Sequence, residues 1–165
     1  MVATNPSHTQ KASIEAIPIV EDAVDKIIKL TQGYPYFIQE WGYQSWNHAQ
    51  NQHITLVDVD KATKMVTERL DKNFFRVRFD RMTPSEKKFI RAMAYLGSKA
   101  QKSGDIASVL GVKVGSLGPV RANLMNKGMI YSPAYGELAF TVPLFDKFMC
   151  RAMPVFESCE EVDAS

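Results

Sequence analysis

The stretch GDIASVLGVKVGSLGPVRANLMNKGMIY, residues 104–131, decides how this chain folds. Ile106, Ala107, Val109 and Leu110 give a short helix over 104–110 its apolar side. Gly111-Val112 turns the chain tightly. Leu117, Val120 and Leu124 then recur at helical spacing within 116–127, and Gly128 closes that helix. Met129-Ile130-Tyr131 and residues 137–142 are apolar runs on either side of Ser132-Pro133-Ala134-Tyr135-Gly136, which reads as a β-hairpin. Upstream, Thr83-Pro84-Ser85-Glu86 has the spacing of a capping box with proline at the first helical position. The helix that follows carries Phe89, Ile90, Met93, Ala94 and Leu96 on one face and stops at Gly97. Downstream, residues 144–152 form a last amphipathic helix, with Cys150 expected inside as a small hydrophobe.

Helix, short helix, glycine turn, helix and hairpin is the layout of a winged helix-turn-helix, and the local sequence resembles one over 82–154. Ala107 is small enough to let two helices approach, Gly111 relieves the turn, and Leu124 with Ile130 seats the hairpin. In such a unit the second helix meets the major groove. The resemblance therefore implies DNA contact through Lys113, Ser116, Arg121 and Asn123, with Lys127 nearer the phosphates. Tyr131 and Tyr135 would touch the backbone from the wing. Gly118-Pro119 weakens the front of that helix and Glu137 puts an acid in the wing, so protein docking stands beside DNA binding as a reading.

The first half reads as a small helical bundle over 20–81. Val20, Ala23, Val24, Ile27, Ile28 and Leu30 recur at three- and four-residue steps, and Gly33 offers a stop. Pro35 opens a second helix to about His48, with Phe37, Ile38, Trp41, Gly42, Ser45, Trp46 and Ala49 near one face. Asp58 is a good N-cap for a third helix through Val59, Ala62, Val66 and Leu70. Residues 71–81 continue or kink that helix and bring Phe74, Phe75 and Phe79. Asp71, Arg76, Arg78, Asp80 and Arg81 make a dense charged patch there, suited to ion pairs or inter-lobe contacts and alternatively to nucleic acid. Residues 1–19 read as a flexible leader and 155–165 as an acidic flexible tail.

Composition narrows the class. With 165 residues, 45% hydrophobic and 23% charged, the chain is long enough for a real core and is neither collagen-like nor disordered overall. No apolar run reaches the ~18 residues of a membrane span. The N-terminus lacks a signal-peptide core, and two cysteines without CxxC spacing suit a reduced, cytoplasmic setting. Net charge is +2, but residues 82–154 carry ten bases against four acids, and residues 155–165 carry four acids and no base. That asymmetry points the second block toward a polyanion. His8, His48 and His53 have no zinc-ligand spacing, so no metal site is expected. No G-x-S-x-G supports a serine hydrolase.

A second resemblance covers about 20–154. Thr31-Gln32-Gly33-Tyr34-Pro35-Tyr36-Phe37-Ile38-Gln39 looks like the start of the lid helix of AAA+ ATPases, and Ile54-Thr55, Asp58-Val59 and Ala62 look like the loop and helix that follow. A lid followed by a winged helix is similar to the C-terminal half of origin-recognition-type and STAND-like bacterial ATPases. This implies a mainly α chain, a lid-like bundle before a winged helix-turn-helix with a short hairpin wing, acting as a non-catalytic, DNA-binding, regulatory portion of such an ATPase. Two departures qualify the resemblance. The phosphate-binding loop G-x-x-x-x-G-K-[S/T] is missing, and the dipeptide Gly-Lys does not occur at all. Tyr36 stands where the sensor-two arginine would lie. No enzyme activity or cofactor is therefore expected of this chain, which looks like a truncated protein or fragment. ATP and magnesium are implied only for a full-length parent. Expected partners are double-stranded DNA or, alternatively, an ATPase core or a second copy through the aromatic face of residues 34–46, with no membrane.

Overall fold

A computed structural model describes residues 17–50 and 52–157. The expected leader up to residue 16, with His8, and the tail from residue 158, with Cys159, lie outside the described residues. The elements in chain order are α1 (Glu21–Thr31), α2 (Pro35–His48), α3 (Leu56–Leu70), a π-helical turn (Asp71–Phe75) and α4 (Arg76–Asp80). Then come α5 (Pro84–Leu96), β1 (Gln101–Lys102), α6 (Ser103–Leu110), a 3-10 turn (Val114–Leu117), α7 (Gly118–Asn126), β2 (Ile130–Tyr131), β3 (Glu137–Phe140) and α8 (Phe145–Ala152). The fold is mainly α with a short hairpin, as the pattern predicts. The hairpin belongs to a three-stranded antiparallel sheet in the order β1-β3-β2.

α1 buries Ala23, Ile27 and Thr31, one per turn, and ends in a left-handed residue at Gln32, one position before the expected Gly33 stop. Just before it, Ile54 N donates to Pro18 O at 2.9 Å and Val20 N to Ile54 O at 3.1 Å. Residues 17–19 of the expected leader are thus pinned to the loop before α3. α2 turns Phe37, Trp41 and Ser45 inward and ties itself to α3 through Trp41 Nε1, which donates to Thr63 Oγ1 at 3.1 Å. α3 starts earlier than the sequence suggests, because Thr55 is the N-cap and Asp58 sits three residues inside. The Asp58 carboxylate accepts from Thr55 N at 2.9 Å and Thr55 Oγ1 at 2.8 Å. An acid at that position answers the orphan donors at the helix entrance as well as a cap does.

α3 runs without a break into α4 through the π turn. One extra residue per turn there brings Phe74 and Phe75 onto adjacent inner positions. Phe75 is buried against Phe145 (ring centroids 5.7 Å) and Phe148 (5.3 Å) of α8, and Phe79 meets Phe148 at 5.9 Å. The core is therefore continuous from the first helices into the second half of the chain.

α5 begins as predicted: Thr83 is the N-cap, Pro84 the first residue, and Glu86 reaches back to Thr83 N at 2.7 Å. Gly97 ends it. β1 was not legible, since two residues cannot display a period. It pairs Gln101 with Leu138 and Lys102 with Glu137. β2 pairs Ile130 with Phe140 and Tyr131 with Ala139, as the hairpin reading requires. Ala107, Leu124 and Ile130 are all buried where close approach and seating were expected. Gly111 takes φ +64°, a left-handed conformation costly for residues with a Cβ, and ends α6.

Two further expectations need correction. Regular α-helix begins at Gly118 rather than 116, after the 3-10 turn, because Pro119 has no N–H and fits only a first turn. Cys150 is exposed, because Phe145, Phe148 and Met149 take the inner face of α8. Among the described residues no helix is long and apolar enough to cross a membrane.

Candidate nucleic-acid interface

The outward face of the 3-10 turn and α7 carries Lys113, Ser116, Arg121 and Asn123, all exposed. Only Leu117 and Leu124 of this segment are buried, and they fix which side faces out. Among the described residues Lys113 and Arg121 form no ion pair through their side chains. Ser116 Oγ donates to Lys113 O at 2.6 Å, which closes the turn that carries both. Arg121 also lines a small cleft of about 210 Å³ with Phe89, Val114, Gly115 and Gly118. Tyr135 projects wholly into solvent from the hairpin turn, and Tyr131 is half exposed beside it.

Lys127 is placed differently from the expectation. Its ammonium donates to Glu86 Oε2 at 2.7 Å and to Arg81 O at 3.0 Å, so it fastens the end of α7 to the start of α5. Glu86 is 2% exposed. Burial alone would push its carboxyl up, but the hydrogen bonds from Lys127 and Thr83 and the Lys127 charge outweigh that, and its pKa lies below the usual 4.5. Asp58 behaves alike: burial is outweighed by the Thr55 hydrogen bonds and by the charges of Lys61 and His48.

Lys113, Ser116, Arg121 and Asn123 are thus all exposed along one continuous segment, with Arg121 and Asn123 on different flanks of α7 because residues two apart point different ways, whereas Lys127 is engaged elsewhere and Tyr135 lies on the hairpin. The separation of 41 positions between Glu86 and Lys127 hides their pairing from any local reading.

Ion pairs account for much of the charged patch at 71–81. Asp71 takes a two-pronged bond from Arg151 of α8, both contacts at 2.7 Å, and Arg76 pairs with Asp80 at 3.1 Å. The Arg151 guanidinium is held above its ordinary pKa chiefly by the Asp71 bond, against some burial. Arg78 stacks its guanidinium 3.8 Å over the Phe74 ring and donates to Phe74 O at 2.9 Å.

Tyr36, at the position of the expected sensor, stacks on Phe74 with centroids 5.2 Å apart. Of the aromatic set in 34–46, Phe37 and Trp41 are buried, and Tyr36 and Tyr43 remain exposed. The face offered to a partner there is narrower than the sequence suggests. No group of three or more His, Cys, Asp or Glu side chains converges among the described residues.

Residues 72–149 match a family described as Domain of unknown function (DUF8462), a span from the π turn to α8 that takes in the whole candidate face. A comparison with curated proteins gives no match to the chain.

Proposed function

We propose that this chain is a non-catalytic DNA-binding and regulatory module, working in the cytoplasm as the lid and winged-helix portion of an AAA+ type ATPase. One observation carries the reading. The segment 113–123 presents Lys113, Ser116, Arg121 and Asn123 outward from a helix seated on Leu117, Val120 and Leu124, and its two cations are spent on no acid among the described residues. A helix so placed beside a two-stranded hairpin suits a major groove, with Arg121 and Asn123 at base edges and Lys113 at phosphate. In this reading ATP and magnesium belong to a nucleotide-binding core of the parent protein.

A second reading rests on Val112, Val114 and Met125, which are exposed on and beside the same helix. An apolar fringe of that kind suits docking on an ATPase core or another protein. Titration of labelled duplex DNA at several salt concentrations separates the two. DNA binding predicts affinity falling steeply with salt. Arg121→Ala and Lys113→Ala should each weaken it several-fold and lower the salt slope by about one. Absence of salt-dependent binding overturns the DNA reading and leaves the docking one.

A further inference from the structure

Where α4 meets the turn after α7, a cleft of about 320 Å³ opens between the two halves of the chain. Its charged lining is Arg78, Arg81 and Lys127, and no acid lines it. Tyr34, Val77, Met129 and Val142 supply most of the remaining wall. Glu86 already neutralises Lys127 from behind, at 2.7 Å, so the uncompensated charge on this lining is that of Arg78 and Arg81, which an anion in the cleft would offset.

Each cation keeps hydrogen-bonding capacity to spare. Lys127 has three N–H donors and gives one to Glu86 and one to Arg81 O, which leaves one. Arg78 uses one donor on Phe74 O, and its stack on Phe74 fixes the plane of the fork. The Arg81 guanidinium has no hydrogen bond or ion pair among the described residues, while its own carbonyl is tied to Lys127. Guanidinium and ammonium donors that line one cleft suit a tetrahedral oxyanion, which takes paired donors from the first and single ones from the second.

A second cleft adjoins the first. Tyr34 and Val142 also wall a neighbouring cleft of about 430 Å³, lined by Pro35, Tyr131, Pro133, Phe140 and Pro143, with Asp146 its one acid. Rings and prolines beside Gln32, Ser98 and Asp146 suit a group with a flat face and polar edges. We propose that the two adjoining clefts bind a small organic phosphate, its phosphate held by Arg78, Arg81 and Lys127 and its flat remainder lying against Tyr34, a wall they share. This site is separate from the DNA face of α7 and does not depend on that reading.

Phenyl phosphate is the probe, and titration calorimetry on the whole chain is the test, with inorganic phosphate in parallel. Saturable binding of phenyl phosphate, tighter than that of inorganic phosphate, is expected. Arg81→Gln should weaken it at least about tenfold, and Arg121→Ala should leave it unchanged. Arg81 is exposed, so Arg81→Gln keeps the test valid even if Arg78→Gln perturbs the Phe74 stack. Four results would each overturn the proposal: no saturation at millimolar probe, equal affinity for the two phosphates, indifference to Arg81→Gln, or displacement of the probe by a short DNA duplex. The last would assign the cleft to the nucleic-acid backbone instead.

Discussion

Glu86 does two jobs with one carboxylate. It completes the capping box of α5 through Thr83 and holds the end of α7 through Lys127. The first was readable from the Thr-Pro-Ser-Glu spacing, and the second was not, because the partner arrives through the fold. Replacing Glu86 by Gln should cost about 1–3 kcal/mol in urea denaturation at neutral pH, since a buried charge-assisted bond is lost. The sign of the pH effect follows from the lowered pKa. Glu86 stabilises the fold fully above its unfolded value near 4.5, and that contribution fades as pH falls through the lower folded value. Stability of the Gln variant should accordingly decline less than that of the parent between about pH 5 and pH 3. A parallel decline of both proteins would show that Lys127 gains nothing from the charge.

The helix through α3, the π turn and α4 joins the bundle to the hairpin half. The apolar period of residues 58–70 was legible, and so was the aromatic mass of 71–81. The extra residue per turn was not, because a π turn leaves no period of its own in five residues. That turn aims Phe75 at Phe145 and Phe148. Truncating Phe75→Ala should destabilise by about 3–5 kcal/mol, measured by thermal or chemical unfolding. A loss below 1 kcal/mol would mean the ring contacts carry little of the packing. β1 was hidden for a similar reason, and the spacing starts α7 two residues early because apolar positions cannot separate 3-10 from α geometry over one turn. Among the candidate site residues, the apolar spacing of Leu117 and Leu124 left Lys113, Ser116, Arg121 and Asn123 exposed, whereas the capture of Lys127 by Glu86 depended on a residue far away in the chain.

Across the molecule, the two halves share ring contacts between the π turn, α4 and α8, and the Asp71–Arg151 bond spans the same seam. Trp41 and Trp46 both lie in α2, so tryptophan fluorescence follows the first half alone while far-ultraviolet dichroism follows every helix. A core this continuous should unfold in one step, with the two signals superimposing across a denaturant titration. Separated midpoints would show that the halves hold themselves together independently. The placement of β3 between β1 and β2 has a mechanical consequence. The residues just before α6 and just after α7 are stitched to the same strand, so their ends stay about 10 Å apart however the middle is loaded. The α6–α7 pair is thus a hoop clamped at its root. Force applied at the far rim, around Lys113, is handed on to β3 and the base of the hairpin instead of being lost in loose chain.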